Sequence, residues 1–157
     1  MKVLLAIDGS PHSHEAVARV ALRPWPKDTT VKVLTVVHPA IPLLLEPTLL
    51  IAAAHAEQTE DLREGAPAIV AAAAEQIKRG APELDVTTVI MEGTPRNVIV
   101  QEARDWDADL IVLGSHGYGR FRRMVLGSVA GAVVASAPCS VQVVRAKHLQ
   151  HETESAA

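Results

Sequence analysis

Residues 108–117 read ADLIVLGSHG, an apolar run that passes directly into a glycine-rich stretch. The four apolar residues before Gly114 are typical of a strand that is buried on both faces of a parallel sheet. Gly127 follows Gly117 after nine intervening residues. Ser128 and a series of apolar residues at helical spacing come after it. This stretch therefore predicts a buried strand, a glycine-rich loop and a helix in succession.

Outward from this stretch, the chain alternates between strand-like and helix-like patterns. Continuous apolar runs predict the other strands at residues 3–7, 31–37, 86–91 and 141–144. Apolar residues at spacings of three and four separate these runs, and Ser10 before a proline marks one helix start. The alternation predicts an α/β fold, a single-domain three-layer sandwich with a five-stranded parallel sheet and about four helices.

The second helix is the least regular part of the pattern. Three prolines within residues 39–50 favour a surface loop or a short turn of helix there. The apolar repeat over residues 62–77 predicts an amphipathic helix. We expect Pro67 to kink this helix or to mark a fresh start, and Gly80 to end it.

Length and composition restrict the class of protein. The sequence has 157 residues, and we expect one domain over residues 1–146 followed by a polar, flexible tail over residues 147–157. The net charge of −3 argues against a nucleic-acid binder, and no apolar run approaches the roughly 20 residues that cross a bilayer. The single cysteine, Cys139, excludes an intramolecular disulfide. We therefore expect a cytoplasmic protein with no nucleic-acid or membrane partner.

The glycine-rich stretch has the chemistry of an anion site. Gly114 and Gly117 can adopt positive φ and let backbone amides approach an anion. Gly127 and Ser128 stand at a helix start, where unpaired amides and the helix dipole favour phosphate. The stretch is not a Walker A loop, because the Gly-Lys-Ser/Thr sequence is missing. An alternative stays open, in which the glycines serve turns and Gly127 with Ser128 only caps the helix.

Two other features lie where a ligand would bind. Ligands of parallel sheets bind at the carboxyl ends of the strands, which selects residues 8–10, 37–38, 92–94 and 114–119 as candidates. Asp8 either contacts the ligand or forms an Asx turn that caps the first helix. His116 either touches phosphate or has no role. A metal site from His116 with His12 and His14 is disfavoured, because no cysteine or carboxylate triad stands at ligand spacing.

These residues resemble the universal stress protein family over about residues 1–146. The resemblance is carried by residues 3–10, 92–95, 108–117 and 137–139. It is carried most specifically by Gly114-x2-Gly117-x9-Gly127-Ser128, the pattern of the family's ATP-binding subset. The resemblance implies an adenine nucleotide α-hydrolase-like fold, commonly dimeric, that binds ATP with Mg²⁺ carried by phosphate oxygens and water.

The resemblance also implies a role for each matching position. Asp8 would hydrogen-bond the ribose or reach the metal side, and Val36 would form one wall of the adenine pocket. Backbone contacts would come from Leu113 and Gly114. The phosphates would be held by four residues of the loop and the last helix: Gly117, Gly127, Ser128 and Val129.

Among the positions that depart from the family pattern, three lie in the glycine-rich loop and the start of the last helix. A basic residue is common where Tyr118 stands, a glycine where Arg120 stands, and a serine or threonine where Ala130 stands. The loop keeps its positive charge at shifted positions, so Arg120 could neutralise a triphosphate or belong to a solvated face. One phosphate-binding hydroxyl is missing at Ala130.

The resulting functional prediction is an ATP-binding stress-response or regulatory protein that acts through nucleotide-dependent dimer or partner contacts. The homodimer is expected to form through the last strand, from Val141 to Val144. No nucleophile, paired carboxylates or water-orienting group stands out, so we expect binding with at most slow hydrolysis. The alternatives are a dimeric scaffold that does not bind ATP and, less favoured, a nucleotidyl-transfer enzyme.

Overall fold

The computed structural model describes residues 1–37, 49–117 and 126–146. Strands and helices alternate along these residues in the predicted order. The elements are β1 (Lys2–Ala6), α1 (Pro11–Leu22), β2 (Thr30–Val37), α2 (Leu49–Gly80), β3 (Asp85–Glu92), α3 (Pro95–Asp105), β4 (Leu110–Gly114), α4 (Ser128–Ser136) and β5 (Ser140–Val144).

The five strands form one parallel sheet in the order β3-β2-β1-β4-β5. β1 lies at the centre, with Ala6 opposite Leu34 of β2 on one side and opposite Leu113 of β4 on the other. The chain builds one half of the sheet through β2 and β3, then crosses over to β4. The order therefore reverses between β1 and β4, and the crevice at their carboxyl ends is the expected ligand position of such a sheet.

Side chains of β1 alternate between two hydrophobic clusters, one on each face of the sheet. Val3 and Leu5 lie in the cluster that includes residues of α1 and α2. Leu4 and Ala6 lie in the cluster that includes residues of α3 and α4. The predicted α/β sandwich with five parallel strands and four helices is thus confirmed. None of the helices in the described ranges combines the length and the apolar content that a membrane span needs.

The second helix differs from its prediction. α2 begins at Leu49, well before residue 62, and continues through Pro67 as one element. Pro67 is exposed, whereas Ala66 beside it and Val70 one turn later are buried in the core. Burial of this helix face offsets the loss of the backbone hydrogen bond that the proline cannot donate. The three prolines before the helix lie outside the described residues.

The helix ends predicted at Ser10 and Gly80 are confirmed in position, and Gly80 differs from its prediction in mechanism. The Ser10 hydroxyl caps α1 by accepting a hydrogen bond from the Ser13 amide at 3.3 Å. Thr94 precedes α3, but its side chain makes no capping hydrogen bond. Gly80 ends α2 without left-handed backbone, and a Cβ there would lie 2.5 Å from the carbonyl oxygen of Ala21 on α1. Gly80 therefore serves the close packing of two helices.

Candidate functional site

The loops after β1 and β4 meet at the point where the sheet order reverses. Asp8 lies two residues beyond β1, and Gly117 lies three residues beyond β4. A Cβ built on Gly117 would lie only 2.6 Å from the Asp8 carboxylate oxygen Oδ2. The two halves of the site predicted from sequence are therefore in contact, although most of the chain separates them in sequence.

Asp8 uses its two carboxylate oxygens differently. Oδ1 accepts a hydrogen bond from the Ser10 amide at 3.0 Å, which forms the Asx turn leading into α1. Oδ2 lies on the side of Gly117. The capping role considered for Asp8 is thus present, and the same half-buried carboxylate also lines the junction of the two loops.

Ser10 connects the start of α1 to the loop after β4. Its side chain is completely buried, and its hydroxyl donates to the His116 carbonyl oxygen at 3.3 Å. The Ser13 hydroxyl in turn donates to the Ser10 carbonyl oxygen at 2.9 Å. These bonds hold the glycine-rich loop on the helix start.

Gly114 and Gly117 do not adopt the positive φ that glycine permits. In the described residues, the glycines with left-handed backbone are Gly9 and Gly93. A Cβ on Gly114 would instead lie 2.8 Å from the His12 carbonyl carbon and 2.9 Å from the Ser13 amide nitrogen. Gly114 is therefore required by the close approach of the α1 backbone to the end of β4.

The start of α4 presents backbone amides at this end of the sheet. Gly127 is the N-cap residue, and it supplies no side-chain capping bond. Its amide donates to the Ser115 carbonyl oxygen at 2.8 Å, and its carbonyl accepts from Gly131 at 2.9 Å. The amides of Ser128 and Val129 belong to the first turn, where no intrahelical acceptor exists and the helix dipole is positive. This turn can donate hydrogen bonds to an anion.

An apolar surface lies on the same side of the sheet as α4. Val36, near the end of β2, and Leu113 of β4 are both buried in the cluster that also contains Ala130 of α4. The residue that lacks the family's hydroxyl, Ala130, is thus part of the core beneath the first turn of α4. Val36, Leu113 and the first turn of α4 therefore share one face of the sheet.

Sequence reasoning missed Ser115. Its side chain is completely buried, and its amide donates to the Val144 carbonyl oxygen at 2.7 Å, which joins the loop to β5. Its hydroxyl lies 3.1 Å from Nδ1 of His12 and 3.1 Å from Nδ1 of His116. The available signal was the position of this serine directly after a buried strand, where a polar side chain must find partners.

The histidines form a pair and not a metal cluster. The rings of His12 and His116 lie 5.3 Å apart between centroids, whereas His14 is exposed. Across the described ranges, no three His, Cys, Asp or Glu side chains gather where they could hold a metal ion. Arg120 and Tyr118 lie outside the described residues.

Cys139 belongs to the packing of the sheet. It is half-buried against the cluster shared with α3 and α4. Burial raises the pKa of its thiol, and the charge of Asp109 raises it further, against an opposing hydrogen bond from the Ile111 backbone. A thiol in this environment stays protonated at neutral pH and packs as a small hydrophobic side chain.

Known proteins are similar to this chain in sequence and in fold. The model of the universal stress protein family matches residues 1–145. A universal stress protein of Thermus aquaticus, in the QAH/OAS sulfhydrylase 3′ region, is 33% identical over 144 residues, which cover 91% of this chain and 97% of the relative.

Solved structures agree with that match. The structure of the hypothetical protein MJ0577 has a TM-score of 0.73 and 26% identity, covering 94% of this chain and 96% of that chain. A universal stress protein in complex with cAMP has a TM-score of 0.67 at 20% identity, covering 94% and 98%. An Arabidopsis thaliana member with AMP bound has a TM-score of 0.62 at 18% identity, covering 98% and 97%. From its sequence and from its fold, the chain belongs to the universal stress protein family.

Proposed function

We propose that this chain binds an adenine nucleotide, ATP with Mg²⁺, at the carboxyl ends of β1 and β4. The observation that carries the proposal is the junction of three elements at this point of the sheet. The first turn of α4 offers uncapped amides, the loop after β4 contributes Gly117, and Asp8 from the loop after β1 lies against that glycine. A nucleotide has anionic phosphates that suit the amides, ribose hydroxyls that suit the carboxylate, and a flat base that needs an apolar surface beside them.

Each chemistry has a candidate among the described residues. The phosphates would accept hydrogen bonds from the first turn of α4, at Ser128 and Val129, with Gly117 and Gly127 leaving room beside them. The ribose hydroxyls would donate to the Asp8 carboxylate. The adenine would lie on the apolar side near Val36 and the end of β4, at Leu113 and Gly114. His116 and Arg120 would add contacts to the phosphates.

Mg²⁺ would enter with the nucleotide. Asp8 is the one carboxylate among the described residues of the proposed site, and its Oδ1 already accepts a hydrogen bond from the Ser10 amide. Since Mg²⁺ keeps much of its water and binds readily to phosphate oxygens, the residues described here fit a metal carried by the phosphates better than a site built by the protein.

The ligands of structural relatives support an adenine nucleotide. The proteins with cAMP and AMP share this fold, at 20% and 18% identity. We further propose that the bound nucleotide controls dimer or partner contacts in a cytoplasmic stress response, without catalysis at ordinary enzymatic rates. In the sequence, no residue stands out as the positioned base that phosphoryl transfer requires.

Calorimetric titration of the purified protein with MgATP tests the proposal. We expect a micromolar dissociation constant, which corresponds to a binding free energy of about −8 kcal/mol. Gly117→Ala should weaken binding at least tenfold, because its Cβ would lie 2.6 Å from Asp8 Oδ2 and one of the two loops must move. Adding Gly127→Ala should abolish binding, since that Cβ would lie 3.1 Å from the Ser115 carbonyl oxygen.

Gly131→Ala is the matched control. Gly131 lies in α4, and a Cβ there meets nothing within 4 Å, so binding should equal that of the wild type. A folded wild-type protein that gives no heat at millimolar MgATP, ADP or AMP would contradict nucleotide binding and favour the scaffold alternative. Rapid formation of ADP would contradict the absence of catalysis.

A further inference from the structure

His12 makes a hydrogen bond that joins the two ends of the described chain. Its Nδ1 accepts from the Ala146 amide at 2.9 Å, where the chain has just left β5. His12 itself stands in the first turn of α1, and its backbone is held close to Gly114 of β4. One side chain therefore ties the segment after β5 to the start of the first helix.

The direction of this bond fixes the state of the ring. An imidazole nitrogen accepts a hydrogen bond only when it carries no proton, so Nδ1 is unprotonated and the ring is neutral in this arrangement. The Ser115 hydroxyl also approaches Nδ1 of His12, at 3.1 Å, and lies 3.1 Å from Nδ1 of His116. Protonation of His12 at Nδ1 would place two N–H donors opposite each other and break the hydrogen bond from the Ala146 amide. The Ser115 hydroxyl could then only accept a hydrogen bond from Nδ1 and no longer donate one to it.

Within the described residues, the segments around His12 carry five other titratable or charged side chains. They are Asp8 in the loop after β1, His14 and Glu15 on α1, His116 in the loop after β4, and Arg145 after β5. Their combined charge influences the pH at which His12 takes up its proton. The direction of the response follows from the hydrogen bond itself, which the neutral ring accepts and the protonated ring cannot.

We propose that His12 is a pH-sensitive contact that holds the backbone after β5 on the start of α1 when neutral and releases it when protonated. Free imidazole side chains titrate near pH 6.5, so the contact is present at higher pH and is lost as the pH falls through the titration of His12. It requires no nucleotide, and its test therefore stands apart from that of the proposed function.

Amide hydrogen exchange of the ¹⁵N-labelled full-length protein measures the contact directly. We expect the protection factor of Ala146, corrected for the intrinsic pH dependence of exchange, to fall at least about fivefold between pH 8 and pH 5, the factor for one neutral hydrogen bond. His12→Asn offers a carbonyl oxygen near the position of Nδ1 and does not titrate, so its protection should be independent of pH. His12→Phe has no acceptor and should show low protection at every pH.

The matched control is His14→Asn, which changes an exposed histidine on the same helix and should keep the wild-type profile. His116→Asn should also keep the loss of protection at low pH. Constant protection of Ala146 in the wild type from pH 8 to pH 5 would overturn the proposal. So would an unchanged pH response in His12→Asn, which remains decisive if His12→Phe does not fold.

Discussion

Gly114 and Gly131 stand at two glycine positions with opposite surroundings. A Cβ on Gly114 would meet the backbone of His12 and Ser13 at less than 3 Å, whereas a Cβ on Gly131 would meet nothing within 4 Å. Backbone atoms of a helix cannot move aside as the end of a flexible side chain can. The same substitution therefore has opposite consequences at the two sites.

We expect Gly114→Ala to lower the free energy of unfolding by about 1–3 kcal/mol, as overpacking does in other cores. Gly131→Ala should raise it by about 0.5–1 kcal/mol, because alanine loses less entropy than glycine in a helix interior. Urea denaturation of both variants measures the difference. Equal stability of Gly114→Ala and the wild type would contradict the close approach of α1 to β4.

For single residues, the sequence predicted which positions matter better than it predicted their structural roles. Ser10 was predictable as the cap of α1, because a serine before a proline at a helix start is a local signal. The role of Gly114 was not, since it depends on α1, which is distant in sequence and packs against β4 only in the folded chain. Asp8 shows both outcomes, because its Asx turn is local and its proximity to Gly117 is not.

Among the elements, α2 is the one whose length was underestimated. The prolines before it favoured a loop, and Pro67 favoured a break, yet the helix runs from Leu49 to Gly80. The alanine-rich residues 52–54 have high helix propensity and were the signal for the earlier start. A proline inside a helix is tolerated where its ring is exposed and its neighbours are buried, and sequence alone does not give that combination.

Pro67→Ala should raise the free energy of unfolding by about 1–3 kcal/mol. The new amide can donate to the Arg63 carbonyl four residues earlier, and part of the gain is offset by the greater freedom of the unfolded chain. Thermal unfolding followed by circular dichroism measures the effect. Glu75→Ala, an exposed change on the same helix, should stay within about 0.5 kcal/mol of the wild type. A destabilised Pro67→Ala variant would show that the native helix depends on the proline.

For the whole molecule, β5 is an edge strand of the sheet, next to β4. The Val144 carbonyl accepts from the Ser115 amide, so the main-chain groups of Val144 point towards β4. Because successive residues of a strand alternate in direction, those of Val143 point away from the sheet. An edge of this kind can pair with a second copy of the chain, which is the proposed dimer contact.

Val143→Pro should therefore yield monomers while the sheet stays intact. Proline removes an outward N–H, and edge strands tolerate it. Light scattering after size-exclusion chromatography measures the mass, and amide protection of Ser115 reports whether β5 still pairs with β4. A variant that remains dimeric with Ser115 protected would place the dimer contact elsewhere.

The sheet topology was only partly predictable from the sequence. The alternation of strands and helices predicted a parallel sheet, and four strand ends were candidates for the ligand. The strand order singles out β1 and β4, because the order reverses between them. That choice depends on long-range pairing, which local patterns do not encode.

The central position of β1 has a consequence for the protein during its synthesis. β1 is the first strand of this sheet to be synthesised, and it pairs with β2 on one side and β4 on the other. β4 is synthesised only after β2 and β3. Until then one side of β1 is unpaired, Asp8 has no Gly117 to meet, and α4 does not exist. A nascent or truncated chain that ends before α4 therefore lacks the candidate site, so the proposed nucleotide binding requires the chain at least through α4.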